Sequence, residues 1–379
     1  MTRQSLRRSG LAALIVGAVA WTVALLVNGQ QAWLAYLIAV VSALTVTLGA
    51  LMLVLMAHLT GATWFVVLRR LAEAVAAATT ILVLLLIPLL FGLHTLYPWL
   101  SPERLEPHVR EMVVRKQAYL NLPFFLIRAG IYVAVWLLIL ARVRRWSSRQ
   151  DAGEEPGAIA GFSAAACILI GFTLSFAAFD WLMSLRPDWY STMYGVRVFA
   201  GTFVPALGLM AVLMQAARLP ITRGTAQALA SLLLAFVIFW FYIAFGQLLI
   251  IWIGNAPEEI TWYVARSSAS WVIVGAILAV GHFAVPFLML LFRRVKRNPL
   301  TMARLGGWLL VMHYLDVCWL TIPDAGHFSW ASVWIYPSAL LLTCGAAALL
   351  ATWWLGDLPV VPERDPDLAD SLQYEYEES

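Results

Sequence analysis

Long apolar runs separated by short polar stretches make up most of this chain. A helix crosses a bilayer with about 20 apolar residues. Ten runs meet or approach that length, at approximately 10–27, 32–57, 73–93, 122–141, 158–180, 194–215, 226–253, 267–291, 304–321 and 332–354. The pattern predicts an all-α polytopic membrane protein with a membrane domain over 1–356 and an acidic tail over 357–379. Trp64 to Leu71 reads as an interfacial continuation of the third span. Arg3, Arg7 and Arg8 precede the first run as they would in a signal peptide. That run is longer than a usual h-region and no small-x-small cleavage site follows Asn28, so it reads as a retained first span.

Composition agrees. Charged residues are 12 % of the 379 and hydrophobic residues 62 %, whereas a water-soluble domain carries roughly 25 % charge. The net charge of +4 is too small to imply a nucleic-acid partner. Its distribution matters more. Most of the 25 Lys and Arg residues fall in one alternating set of connections, at Arg3–Arg8, Arg69–Arg70, Arg142–Arg149, Arg218–Arg223, Arg293–Arg304 and Arg364. Basic loops mark the cytoplasmic side, so the expectation is that both termini are cytoplasmic. The opposite side carries the longer connections. Cys167, Cys318 and Cys344 lie in apolar runs without C-x-x-C spacing and read as packing residues, which argues against a cluster or covalent haem on this chain. Past Gly356 the acids and prolines read as a solvated tail.

The segment Phe179–Gly195, FDWLMSLRPDWYSTMYG, carries Asp180, Arg186, Asp188, Trp181, Trp189, Tyr190 and Tyr194 between two spans. Its aromatics suit the headgroup level. With a rise of about 1.5 Å per residue, Asp180, Arg128, Arg197 and Asp316 fall at one depth and are expected to form an ion-pair network. Intramembrane charges normally pair and often mark proton routes. His313 and Asp316 are three residues apart, on one helix face, where a carboxylate can set an imidazole's tautomer. Glu258 and Glu259 follow a turn on the outer side. His58, Glu73 and His282 lie nearer the inner side. These residues form an outer and an inner group of candidate proton carriers. Pro286 is expected to free the carbonyl of residue 282. His282 and His313 also raise a bis-histidine haem reading, which the single pair supports weakly. No internal repeat is evident from the sequence.

Four stretches taken together are similar to a known family. FDWLMSLRPDWYSTMYG, FGQLLIIWIGNAPEE at 245–259, GHFAVPF at 281–287 and HYLDVCWL at 313–320 resemble, in order and position, the ActF-type membrane subunit of bacterial alternative complex III. That family belongs to the NrfD/PsrC-like quinol oxidoreductase membrane subunits. The resemblance covers roughly residues 60 to 325. It implies two four-helix bundles, spans two to five and six to nine, with spans one and ten flanking them. It implies a bacterial inner-membrane subunit of a quinol:acceptor oxidoreductase that acts as scaffold and candidate proton-translocation pathway, without redox cofactors of its own. The implied partners are a homologous ten-span quinol-binding subunit, an iron–sulfur subunit, c-type cytochrome subunits and small membrane subunits, with a terminal oxidase as an optional addition. Haem c and iron–sulfur clusters would sit in those partners, with menaquinol or ubiquinol as substrate. Arg186 departs from the acidic or polar residue expected before that proline. A secondary transporter and a purely structural anchor are the alternative readings.

Overall fold

The computed structural model describes residues 3–154, 159–325, 328, 330–356 and 358–376. Among these residues, ten helices are long and apolar enough to cross a membrane: Arg3–Val27, Gly29–Thr60, Thr63–Phe91, Leu122–Asp151, Ala160–Leu185, Thr192–Ala216, Arg223–Gly254, Ala269–Leu291, Pro299–Ala325 and Ile335–Leu355. They are called spans one to ten below. No strand occurs among the described residues. The protein is an all-α polytopic membrane protein.

Several helices run past the apolar stretches that announce them. Span four continues ten residues beyond its apolar core, through Arg142 to Asp151. Backbone bonds inside a helix are satisfied wherever it goes, and long arginine side chains reach water from the last turns. Side-chain caps set the starts. Asn121 accepts from the Phe124 amide at 3.0 Å, Thr222 from Thr225 at 3.0 Å, and Asn298 from Leu300 and Thr301 at 3.0 and 3.2 Å.

Spans two to five form a ring in which two meets three and five, and four meets three and five. Spans six to nine form a second ring in which six meets seven and nine, and eight meets seven and nine. The rings join where spans two and five meet span six and span two meets span nine. Span two is therefore the mast of the molecule, 94 % buried over its apolar window, whereas span one is 17 % buried. Span ten lies on spans two and three, and span one lies on span ten. Small residues permit the closest crossings. A Cβ on Gly306 would sit 2.2 Å from the Gly208 carbonyl oxygen, so spans nine and six touch backbone to backbone.

The order repeats, although no repeat is evident from the sequence. Each ring comprises two spans, a short helix outside the spans, and two more spans. The short helices, Pro107–Arg115 and Pro257–Val264, both begin at a proline. Spans five and nine both carry an aspartate in their second half that is followed seven residues later by Pro-Asp: Asp180 with Pro187-Asp188, and Asp316 with Pro323-Asp324.

The tail differs from the solvated one that its composition predicts. In the described part, 358–376, it is docked rather than solvated. Asp365 is buried and paired with Arg69, the Val67 amide donates to Ser371 Oγ at 3.2 Å, and Thr222 Oγ1 donates to the Tyr374 carbonyl at 2.6 Å. The tail thus ties span three to span seven across the basic side. Asp357, Glu377, Glu378 and His327 lie outside the described residues.

Candidate functional site: the buried charges of the two rings

The four charges expected in one network form two separate pairs. In the first ring Arg128 grips Asp180 like a fork, Nε to Oδ2 at 2.8 Å and Nη2 to Oδ1 at 2.9 Å. Tyr132 donates to Oδ2 at 2.8 Å, and Arg128 Nη1 donates to the Tyr119 carbonyl at 3.0 Å. The guanidinium lies over the Tyr119 ring at 3.8 Å. Asp180 is fully buried and both its oxygens are bonded. Charge-assisted, two-point pairing of this kind fixes geometry as well as energy.

In the second ring Arg197 Nη2 meets Asp316 Oδ1 at 2.8 Å, and Trp240 Nε1 donates to Oδ2 at 3.1 Å. Arg197 Nε has no hydrogen-bond partner. Neither do both nitrogens of His282, both amide atoms of Gln247, or the Tyr263 hydroxyl, all of them buried atoms. Burial pushes the Tyr263 phenol above its ordinary value, which keeps it a neutral donor. His282 stacks on Trp240 at 4.0 Å with 17° between the rings. It therefore belongs with Asp316, not with the inner group where its sequence position suggested. Unsatisfied buried polar atoms are rare in native proteins; those of the first ring include His58, Arg69, Arg70 and Glu73 at the basic end, away from its Arg128–Asp180 pair, whose nitrogens and oxygens are all bonded.

His313 does not pair with Asp316, although they share a helix face. Its Nε2 lies 2.8 Å from Thr45 Oγ1 on span two, because span nine turns that residue toward the mast. Pro286 has a different consequence from the one expected. Residues Ala279–Ala284 form a π-helical turn, in which each N–H reaches five residues back. In that register the carbonyl that proline leaves without a donor is Gly281's, and Trp308 Nε1 bonds it at 2.7 Å.

The inner group assembles at the basic end of the first ring. Glu73 is buried, 3.5 Å from Arg69 Nε and 3.3 Å from Arg70 Nη1, and accepts from Ser147 Oγ at 2.9 Å. Arg69 also pairs with Asp365 and Arg70 with Asp151. His58 meets Trp146 edge-on at 4.4 Å, and Arg69 lies over the same ring at 5.5 Å. His58 and Arg69 line a basic-side cavity of about 300 Å³ that Asp365 also borders.

Glu258 and Glu259 lie apart from both pairs. They are exposed in the first turn of the Pro257–Val264 helix, where the helix dipole favours acids. Arg266 is the residue that sequence reasoning missed. It is 3 % exposed and forks onto Asp324, Nη1 to Oδ1 at 3.0 Å and Nη2 to Oδ2 at 2.7 Å. It also donates to the carbonyls of Trp262, Leu320 and Trp319, and lies 3.5 Å over the Trp262 ring. In the first ring Lys116 takes the corresponding place and donates to the Pro187 carbonyl at 2.7 Å. Burial pushes its ammonium below the usual lysine range, against the pull of Asp188. The shared aspartate–proline–aspartate spacing was the signal available for these two caps.

The aromatics of Phe179–Gly195 are mostly inside the protein. Trp181, Trp189 and Tyr194 are buried and only Tyr190 is exposed. Trp189 stacks on Trp262 at 5.1 Å and 17°, and donates to the Glu259 carbonyl at 3.0 Å. Arg186 donates to the Thr261 carbonyl at 3.1 Å and lies 3.8 Å from Asp324. The segment is the latch between the rings.

Among the described residues, no three His, Cys, Asp or Glu side chains gather as a metal site. No protein-family model matches this chain, and a search of curated proteins finds no match.

Proposed function

We propose that this chain is an ActF-type membrane subunit of a bacterial quinol:electron-acceptor oxidoreductase of the alternative complex III kind, and that spans six to nine carry its proton route. In this reading it lies in the inner membrane with both termini cytoplasmic. It assembles with a homologous quinol-binding subunit, an iron–sulfur subunit and c-type cytochromes, and leaves electron transfer to their clusters and haems. Four sequence stretches in family order support the identity. One observation supports the role: beside Asp316, Arg197 Nε and both nitrogens of His282 are buried without hydrogen-bond partners, whereas the Arg128–Asp180 pair is bonded at every side-chain nitrogen and oxygen. Atoms of this kind are satisfied in proteins by bridging water, and chains of such bonds pass protons.

Oxidising one quinol releases two protons and two electrons. Electrons leave through the partners, while carboxylates near the outer face receive protons. Asp316 suits this exchange because a single arginine contact holds it, and protonation releases that contact. Moving one charge against about 100 mV requires roughly 2.3 kcal/mol, so an ordered series of sites matters. The first ring reads better as anchor. Its Asp180 is held by a closed fork and accepts three hydrogen bonds, so a proton there has to weaken the pairing with Arg128. A transporter reading calls for broken helices in paired halves. The interrupted spans here are three and eight, which the repeat does not pair.

The test is Asp316→Asn in the purified complex. Haem c absorbance from partners should still co-purify, while proton-coupled turnover per haem slows. Full turnover with unchanged proton release would overturn the role, and a chain that purifies without cytochromes would overturn the identity.

A further inference from the structure

A crevice of about 670 Å³ runs between span ten and the junction of spans two, three, six and nine. Its walls are almost wholly apolar. Along span ten it extends from Leu340 to Leu355, about 22 Å at the α-helical rise. One end reaches the basic side at Arg3 and Val360. The other stops beside Tyr314, whose hydroxyl donates to the Tyr336 carbonyl at 2.9 Å and closes the gap between spans nine and ten. Between these ends, the lining residues Val311 and Cys344 are exposed, so the crevice opens sideways toward lipid.

Two lining residues near the closed end, Ser42 and His313, carry buried polar atoms without hydrogen-bond partners: Ser42 Oγ and His313 Nδ1. Their chemistry is complementary. Thr45 Oγ1 donates to the Ser42 carbonyl at 2.8 Å, which leaves its lone pair to accept from His313 Nε2–H at 2.8 Å. A neutral imidazole with its proton on Nε2 presents Nδ1 as an acceptor. The Ser42 hydroxyl supplies a donor beside it.

We infer that the crevice between spans nine and ten binds one neutral, chain-like lipid, with a hydroxyl head between Ser42 and His313 and an apolar body toward the basic side. The head donates to Nδ1 and accepts from Ser42. A phospholipid lying chain-inward would leave both polar atoms facing methyl groups, at the cost of an unmade bond each. A charged head would lose its hydration in an apolar slot. The volume falls in the range of small-ligand cavities. Two membrane sources supply this chemistry: the reduced, hydroxyl form of a lipoquinone, and a long-chain alcohol with no redox activity. The inference does not depend on the assembly proposed above.

The experiment uses the full chain in lipid nanodiscs and a photoreactive hexadecanol. Crosslinks should map to spans nine and ten beside Val311 and Cys344. Ser42→Ala should weaken labelling about tenfold, the effect of one lost hydrogen bond. Ala347→Phe should abolish labelling by filling the slot. Cys344→Phe, at the exposed mouth, does the same if Ala347→Phe fails to fold. Displacement by a short-chain quinol but not by dodecanol assigns a lipoquinone. Displacement by dodecanol, alone or together with the quinol, assigns a neutral lipid site of the broader class. Displacement by neither overturns the inference, as does equal labelling of the crevice by a photoreactive phosphatidylcholine, or labelling that Cys344→Phe leaves unchanged.

Discussion

Arg197 holds Asp316 through one nitrogen, whereas Arg128 holds Asp180 through two. The two pairs stand at corresponding ends of the two rings, so comparing them separates pinning from carrying. Asp180→Asn leaves Arg128 buried without a counter-charge, and breaking a buried pair costs about 3–5 kcal/mol. It should lower the thermal denaturation temperature in detergent and the yield of assembled protein. Asp316→Asn also strands a buried arginine and should lower both, but by less, because one arginine contact is lost instead of two; its larger effect should be on turnover per assembled complex. The reverse pattern would assign the carrying role to the first ring.

The Gly208–Gly306 crossing has no room for a methyl group. Gly306→Ala places a carbon 2.2 Å from a backbone oxygen on span six, and neither helix can yield without separating. Gly307→Ala meets nothing within 4 Å. Melting in detergent should show a large loss for the first variant and little change for its neighbour.

Arg266 is bonded to a carboxylate and three carbonyls and lies flat on an indole. A lysine carries the charge but has neither the planar fork nor the stacking face. Arg266→Lys should expose Trp262, visible as a red shift in tryptophan emission, with loss of thermal stability. An unshifted spectrum would mean that charge alone holds the cap.

Asp365 closes the tail onto Arg69. Asp365→Ala should loosen 358–376 and speed tryptic cleavage after Arg364, which is exposed and donates to the Asp151 carbonyl. Protease added to vesicles of each orientation would also report which side the tail occupies. Equal cleavage rates in variant and parent would show that the tail is held elsewhere, at Ser371 and Tyr374.

The spans are legible in the sequence because a bilayer demands some twenty apolar residues and little else. Their ends are less legible, since arginine-rich turns stay helical after hydropathy stops. Charge types can also be read: each of Asp180 and Asp316 meets an arginine of a neighbouring span, Arg128 and Arg197. Partner choice cannot be read that way, because packing between helices decides it. That is why His313 turns to Thr45 and His282 meets Trp240. Arg266 escapes notice because it lies between apolar runs, where basic residues look solvated. The repeated aspartate–proline–aspartate spacing could have drawn attention to Asp324 and, through it, to Arg266. Composition makes the tail look free because composition does not show a buried arginine waiting for it.

The wide turn at Ala279–Ala284 shifts the phase of span eight. It holds one residue more than a regular helix needs, so the two halves of the span are offset by about 100° relative to an uninterrupted helix. Losing a residue within a membrane helix usually scrambles every contact beyond it. Here a one-residue deletion would straighten the helix instead, and would swing His282 away from Trp240 and Asp316. The length of this segment, more than its composition, determines which residues share the interior of the second ring.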